Sequence, residues 1–390
     1  MGNLPNDFAS LASNEKILIR KLKIIEILKV AIFLNMCKLI ALMFLIAKRE
    51  WVCPFCFMKK NIPIRIEVTR GNLVESIHHV HAIVVDSIGT VVARWGNPEL
   101  QIFPRSSIKP IQALPLVESG AVEHFSITEE EIALVCASHS SQPRHVKAIR
   151  ALLKRLGCSE QDLKCGPHWP IDEETKNAML QSGQILSPIH NNCSGKHSGF
   201  LATSRYMGEG IQDYLSINHP SQKRARRAIA LMSDCDFTSM GQGVDGCGIP
   251  VYGMTLSAMA LGLARMADPS RFDSIRETAI KKIVTSMAKY PFMVAGYKRF
   301  DTIAMTECKG LFVCKSGAEG VYAVILPTLG FGAALKAEDG ASRATEVAVT
   351  AVLNHLCVVE RSIAERINCH FPPSIKNTKG EVVGYIRACF

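Results

Sequence analysis

The sequence predicts an α+β fold in which helices flank a mostly antiparallel sheet. Apolar or alternating stretches typical of strands lie at residues 64–68 and 82–95, and again near the end of the chain at 382–386. The long region between them is rich in helical patterns and shows no internal repeat. Strands at both ends with helices between them favour a single sheet covered by helices.

Length and charge define two regions. The chain of 390 residues exceeds one typical domain and is long enough for a large core. Its net charge is +10, but residues 1–63 hold ten basic against four acidic residues, so residues 64–390 carry only +4. Because no basic stripe remains, nucleic acid is excluded as the expected partner. We therefore predict an N-terminal extension at 1–63 and a catalytic domain at 64–390.

The extension differs in composition from the rest. Its apolar run at residues 30–47 is interrupted by polar residues, and about 20 apolar residues are needed to span a bilayer. We expect translation to begin at Met58, with inner-membrane anchoring through residues 24–47 as the alternative. Cys53 and Cys56 have redox-motif spacing, but no second pair or strand–helix pattern supports that role. Fourteen scattered cysteines favour a cytoplasmic protein over a disulfide scaffold.

Turn and cap signals locate several elements. Residues 86–89 and 315–320 each contain glycine-bearing turn chemistry between apolar stretches, which predicts two hairpins. Thr128 is followed by three glutamates, the pattern of a capped helix start. The last helix is expected at residues 341–356.

A serine and a lysine one helical turn apart form the first candidate site. Ser106 and Lys109 are three residues apart, so in a helix their side chains point the same way. A serine hydroxyl becomes a good nucleophile only when a base takes its proton, and a neutral lysine amine can do so. Pro110 fits the first turn of a helix, which predicts that Ser106 lies at or just before the helix N-terminus. The spacing is common by chance, so its significance depends on what accompanies it.

Two later stretches supply a second hydroxyl and a second amine. These are the loop beginning at Ser138 and the strand end beginning at Lys315. Penicillin-recognising serine acyltransferases combine Ser-x-x-Lys with a Ser-x-Asn loop and a Lys-Thr/Ser-Gly strand. Here Ser140 stands where that pattern has asparagine, and the loop follows Lys109 closely in sequence. We therefore expect this chain to share the chemistry of these acyltransferases more closely than their exact fold.

Two cysteines indicate a metal site. Cys193 and Cys247 each lie among glycines and polar residues, which is unusual for core packing. Two thiolates from separate loops can hold Zn²⁺ together with a nitrogen ligand, for which Lys196 and His197 are candidates. Lysine is a rare ligand because it must first lose its proton, although a metal can enforce that loss.

From about residue 68 onward the chain resembles the bacterial L-asparaginase II family of the Rhizobium thermolabile type. The stretches that carry the resemblance are residues 69–71, 75–78, 105–110, 136–140, 192–197, 245–250, 295–302 and 317–320. Two positions depart from the family pattern. Val80 replaces a glycine, and Ser141-Gln142 replaces Gly-Glu, which removes a negative charge near Ser138.

The resemblance implies a serine β-lactamase/glutaminase-like fold, a homodimer, and hydrolysis of L-asparagine to L-aspartate and ammonia. It implies a nucleophile at Ser106 paired with Lys109, and a second pair formed by Ser138 and Lys315. It implies zinc held by Cys193, Lys196 and Cys247. By their positions in the motifs, the substrate-binding residues are Arg105, His197 and Asp245. The alternatives are a glutaminase or β-lactamase-like acyl hydrolase, and a non-catalytic zinc-binding protein whose serines only cap helices.

Overall fold

The structure is a computed structural model that describes residues 59–238, 240–359, 361–370 and 373–390. Its strands are β1 Lys59–Lys60, β2 Ile64–Arg70, β3 Leu73–Asp86, β4 Val91–Trp95, β5 Gln101–Ile102, β6 Gln242–Val244, β7 Pro250–Tyr252, β8 Met254–Thr255, β9 Val313–Ser316, β10 Val321–Leu326, β11 Phe331–Ala337, β12 Ser374–Lys376 and β13 Val382–Cys389.

The helices account for most of the chain between β5 and β9. They are α1 Lys109–Gln112, α2 Leu114–Glu118, α3 Ala121–His124, α4 Glu129–Val135, α5 Pro143–Arg155, α6 Glu173–Ser182, α7 Ser194–Tyr206, α8 Pro220–Ser233, α9 Leu256–Ala267, α10 Ser274–Lys289, α11 Pro291–Val294, α12 Phe300–Cys308, α13 Ser342–His355 and α14 Arg361–His370. Short 3₁₀ turns lie at Arg105–Ile108, Glu160–Asp162 and Pro188–His190.

The main sheet runs in the order β12-β13-β2-β3-β11-β10-β9, with β4 beside β3 and β1 beside β4. The described strand pairs are antiparallel except β1 with β4. Every residue of β10 is buried, so both faces of the sheet are covered there. Helices α9 and α13 pack on this part of the sheet. The predicted α+β fold is confirmed.

A glycine lets α9 approach the sheet closely. A Cβ atom at Gly332 in β11 would lie 2.1 Å from the Ala264 nitrogen and 2.4 Å from the Ala260 oxygen. These distances are far below van der Waals contact, so no side chain fits between strand and helix. The absence of a side chain at this position is therefore a condition for the packing that fixes the sheet core.

The predicted local signals mostly agree with the structure. The turn after β3 is closed by the Asp86 carboxylate, which accepts the amides of Ile88 and Thr90. Thr128 and Glu131 form a complete capping box at α4. The second hairpin is also present, but Lys315 lies within β9 opposite Ala323 instead of in the turn.

The prediction that the helix at 341–356 is the last one is wrong. Helix α14 follows it, because Ile363 and Ile367 recur at helical spacing and bury one face of this segment. The strand predicted at 382–386 is present as the longer β13.

Three predictions concern residues outside the described part of the chain: the segment 24–47, the start at Met58, and the Cys53/Cys56 pair. Among the described residues, no helix combines the length and apolar character needed to cross a bilayer.

Candidate active site

Ser106 lies in the 3₁₀ turn Arg105–Ile108, which leads directly into α1. The Lys109 amide donates to the Ser106 carbonyl, and Pro110 occupies the first turn of α1 as predicted. Arg105 adopts a φ of 53°, a left-handed conformation that costs a non-glycine residue about 1–2 kcal/mol. Neighbouring Ser107 is buried and donates to the Pro104 carbonyl at 2.5 Å. Ser106 is only half-buried, so of the two adjacent serines it is the one a small molecule can reach.

The Lys109 amine lies in the protein interior and contacts three groups. It donates to the Ala137 carbonyl, to Ser138 Oγ at 3.1 Å and to Cys193 Sγ at 3.2 Å. No hydrogen bond in the described part of the chain joins it to the Ser106 hydroxyl. The sequence predicts that the Lys109 amine pairs with Ser106. In the structure the amine instead extends towards the Ala137 carbonyl and the Ser138 hydroxyl in the loop after α4. The structure pairs Lys109 directly with Ser138.

The strand that carries Lys315 packs against the Ser106 turn. A Cβ atom at Gly317 would lie 3.0 Å from the Pro104 carbonyl and 3.2 Å from the Ser107 amide nitrogen. Only glycine allows the end of β9 to come this close to the turn. The chain thereby brings two motifs together that are more than 200 residues apart in sequence.

Lys315 is fully buried, and its amine donates to the Ser316 carbonyl at 2.6 Å. Burial lowers its pKa to about 7; the negative charge of Asp301 opposes this effect, and the positive charge of Lys109 adds to it. The two buried amines therefore act on each other electrostatically. No hydrogen bond between Lys315 and Ser138 occurs among the described residues, so that pair stays a prediction.

Asp301 anchors the end of β9, a role the sequence prediction did not give it. Its buried carboxylate accepts the Ser316 amide at 2.8 Å, the Ser316 hydroxyl at 2.7 Å and the Tyr322 hydroxyl at 2.9 Å. The neighbouring Arg299 reaches the Ser138 carbonyl at 3.4 Å. The start of α12 is thus connected to both the Lys315 strand and the Ser138 loop.

Two thiols and a second lysine lie beside this centre. Cys193 precedes α7, Lys196 lies in its first turn, and the Lys196 amine donates to Cys247 Sγ at 3.0 Å. Contact with Cys193 lowers the pKa of Cys247 to about 5, and the same contact raises the pKa of Cys193 to about 11. Although burial alone would lower it, the charges of the two sulfur groups raise the pKa of Lys196. The group therefore holds one thiolate beside an ammonium.

The three residues fit the donor set of a zinc site. They bring two sulfur atoms and one nitrogen together, and thiolates and neutral nitrogens are the ligands that Zn²⁺ prefers. Among the residues the structure describes, no three His, Cys, Asp or Glu side chains gather in a way that could hold a metal. A metal here would therefore depend on the Lys196 amine, which would have to give up its proton on binding.

Arg105 and Asp245 form an ion pair at the edge of the site. Arg105 Nε donates to Asp245 Oδ1 at 2.8 Å, and the Gly246 amide donates to the same oxygen. Burial would raise the pKa of Asp245, but the charges of Lys196 and Arg105 outweigh it and lower the pKa. The pair thus presents a guanidinium and an ionised carboxylate side by side.

His197, predicted to bind substrate, is completely buried. The Tyr214 hydroxyl accepts the Lys164 amide at 2.9 Å and lies 2.7 Å from His197 Nδ1. Burial, together with the charge of Lys196, lowers the pKa of His197 to about 3, so the ring is neutral. Its Nε2 atom has no hydrogen-bond partner within the described part of the chain. The described contacts of His197 are thus with buried neighbours such as Tyr214, and its side chain has no exposed surface.

The loop after α4 is joined to the segment before α12. The bonds are Ser138 N to Val294 O at 3.0 Å, Ser140 Oγ to Ala295 O at 2.8 Å, and Tyr297 N to Gln142 Oε1 at 2.8 Å. Gln142 therefore keeps an acceptor where the family pattern has glutamate. Val80, the other departure, is a buried residue in the interior of β3.

A comparison with protein families decides the affiliation. The family model described as L-asparaginase II matches residues 66–388, which is most of the chain. The chain belongs to the L-asparaginase II family. The name of the family points to amidohydrolase chemistry. No curated protein matches the chain.

Solved structures provide more distant similarities to this L-asparaginase II family member. Mglu in its tris and glutamate form is 12% identical with a TM-score of 0.34, over 72% of this chain and 59% of that chain. A putative β-lactamase from Bacteroides dorei is 12% identical with a TM-score of 0.36, over 76% of this chain and 95% of that chain. A β-lactamase from Mycobacterium bovis is 11% identical with a TM-score of 0.37, over 75% and 94%. The chain thus spans about three fifths of the length of Mglu.

Proposed function

We propose that this protein hydrolyses L-asparagine to L-aspartate and ammonia through a serine acyl-enzyme. The observation that carries the proposal is the contact between the buried Lys109 amine and Ser138 Oγ. The half-buried Ser106 precedes Lys109 by one helical turn. The Lys315 amine lies close enough to Lys109 for their charges to interact. Two hydroxyls and two buried amines are the parts needed to take a proton from a nucleophile and return it to a leaving group.

In the proposed mechanism Ser106 attacks the side-chain amide carbon of asparagine, and its proton passes to Lys109. Catalytic hydrogen bonds often tighten only when substrate binds, and we propose that the Ser106 hydroxyl and the Lys109 amine come within hydrogen-bond distance at this step. Ser138, already bonded to Lys109, passes the proton to the departing ammonia. Lys315, whose pKa of about 7 makes its neutral form accessible, completes the relay. Water then releases aspartate.

Substrate orientation is proposed to come from the Arg105–Asp245 pair. A guanidinium matches the substrate α-carboxylate with two parallel hydrogen bonds. The Asp245 carboxylate, held ionised, complements the α-ammonium group. Asparagine carries both groups, whereas a simple amide carries neither. His197 is proposed to contribute by supporting Lys196 and the adjacent wall of the site.

Zinc is proposed to bind to Cys193, Lys196 and Cys247. When bound there it would supply a positive charge that orients polar groups of substrate or water. We also propose a homodimer in the cytoplasm; light scattering on the purified full chain and fractionation of cells would test these two points. Membrane contact is proposed only if residues 24–47 form an anchor.

The test is ammonia release by the full chain with asparagine and glutamine as substrates, together with a separate assay of β-lactam ring opening for a penicillin, because that reaction releases no ammonia. Ser106→Ala is expected to lower kcat by at least about 10³-fold, because the nucleophile is lost. The matched control is Ser119→Ala, which removes a half-buried hydroxyl that donates to the Leu116 carbonyl and accepts the Ala121 amide, away from the candidate active-site residues. Retention of most activity by Ser106→Ala would exclude Ser106 as the nucleophile.

Locating the covalently modified serine shows whether Ser106 or Ser138 is the nucleophile. A diazoketone analogue of asparagine should label Ser106 in the unmodified protein, as read by peptide mass spectrometry. Labelling at Ser138 instead would keep the reaction class but transfer the nucleophilic role to the hydroxyl that contacts Lys109. Turnover of glutamine or penicillin in preference to asparagine would replace the proposed substrate. Zinc binding without any turnover would favour the non-catalytic alternative.

A further inference from the structure

A cavity lies between α13, the start of α12, the end of α14 and β13. Its volume is about 190 Å³. Of the ten described residues that line it, six are apolar, among them Phe300, Val347, Ala351, Ile386 and Ala388. The other four are Glu346 and the neutral polar residues Thr350, Asn354 and Asn368. The proposed reaction uses none of them.

One carboxylate belongs to this cavity. Glu346 lies in α13, half-buried, and lines the cavity together with the apolar residues. Among the described residues, none forms a hydrogen bond or ion pair with its carboxylate. Burial, and then the negative charge of Asp301, raise the pKa of Glu346 to about 7, and the positive charge of Arg299 opposes this effect. An ionised carboxylate here has a cost that a bound positive charge would offset.

The chemistry of the lining selects the type of cation. A calcium ion takes six to eight oxygen ligands, and the lining falls short of this number, because Glu346 offers two side-chain oxygens and Thr350, Asn354 and Asn368 offer one each. An ammonium group on a short hydrocarbon chain matches both features, since the charge pairs with Glu346 and the chain packs against Phe300, Ala351 and Ile386. We propose that this cavity is a binding site for small primary alkylammonium ions, anchored by Glu346.

Two charged residues interact electrostatically with Glu346 and also contact segments of the candidate active site. Asp301 and Arg299 act on Glu346, and the same two residues hold Ser316 and the Ser138 carbonyl. A cation bound at Glu346 therefore changes the field at both segments. Binding itself does not require catalysis, so failure of the proposed asparaginase reaction would leave this inference standing.

The test is calorimetric titration of the full chain with n-butylammonium chloride at pH 8, above the carboxyl pKa. Glu346→Gln keeps the shape but removes the charge, and it is expected to weaken binding about tenfold or more. Ala351→Leu fills the cavity and is expected to abolish binding even if the first variant folds poorly. Glu277→Gln, a surface carboxylate on α10, is the matched control and is expected to bind as the unmodified protein does.

The neutral and anionic analogues complete the experiment. n-Butanol is expected to bind more weakly than the ammonium, and n-butyrate not at all. Absence of n-butylammonium binding, equal affinity in Glu346→Gln with retained thermal unfolding, or equal binding of n-butyrate would each overturn the proposal.

Discussion

At the residue scale, the site is defined by where buried amines find acceptors. Lys109, Lys196 and Lys315 all lie in the interior, where an unpartnered ammonium is costly. The Lys109 amine has a carbonyl, a hydroxyl and a sulfur atom as hydrogen-bond acceptors, and the Lys196 amine has a thiolate. Within the described part of the chain, the Lys315 amine donates to one acceptor, the carbonyl of its neighbour Ser316, and burial lowers the pKa of this amine.

This difference predicts how activity depends on pH. Because burial disfavours the charged form, the pKa of Lys315 is lowered to about 7, and the neutral amine appears as pH rises through that value. Activity that needs the neutral amine should therefore increase with pH around 7. Lys315→Met is expected to lower kcat at least about 10²-fold and to remove this rise.

The control for that measurement is Lys336→Met. Lys336 in β11 is also partly buried and its pKa is also lowered by burial, but it lies next to Glu319, Glu338 and Asp339. The Lys336→Met substitution should leave the rise of kcat around pH 7 unchanged. If Lys315→Met kept the rise around pH 7, another group would have to be responsible for it.

At the element scale, the end of β9 and the Ser106 turn must lie in backbone contact. Gly317→Ala introduces a Cβ atom 3.0 Å from the Pro104 carbonyl, so the strand end must move by a few tenths of an ångström. We expect kcat to fall about tenfold or more, because small displacements of catalytic groups are costly. Stability should fall by only about 1–2 kcal/mol.

Gly210→Ala is the matched control for Gly317→Ala. A Cβ atom there meets no other atom within 4 Å, so kinetics and melting temperature should stay near those of the unmodified protein. Normal kcat in Gly317→Ala would show that the contact between strand and turn does not position the site.

The Ser138 loop depends on a different kind of contact. Gln142 Oε1 accepts the Tyr297 amide, which holds the segment before α12 against the loop. Gln142→Ala removes this acceptor, and we expect kcat/KM to fall about tenfold, in line with the loss of one hydrogen bond near the substrate. Gln142→Glu keeps an acceptor at the same place and should retain more activity than Gln142→Ala. Equal kinetics for all three proteins would show that the bond has no role in positioning.

The sequence predicted elements better than contacts between them. The cap at Thr128 and the two hairpins depend on neighbouring residues, so local chemistry was sufficient to locate them. The pairing of Lys109 with Ser138 depends on where a long flexible side chain finds acceptors in the folded chain, which spacing alone does not encode. Asp301 was missed as an anchor for the same reason, since its partners come from β9 and β10.

At the scale of the whole molecule, the chain folds so that distant motifs share one centre. Residues near 106, 138, 193, 247 and 315 come from turns, a loop, a helix start and a strand end, and the antiparallel sheet supports the last of these. The family match over residues 66–388 covers all of them. A ligand that joins several of these segments should therefore stabilise the entire fold.

Zinc provides that test. A metal that binds only the folded state at 100 times its Kd adds about 2.7 kcal/mol to the free energy of unfolding. We expect zinc to raise the melting temperature of the full chain by several degrees, and a chelator to reverse the shift. Cys193→Ser and Cys247→Ser should each lose the shift. Cys158→Ser, which alters a thiol that donates to the Leu156 carbonyl at 3.7 Å, should keep it. A shift of equal size in Cys193→Ser and the unmodified protein would locate the zinc elsewhere.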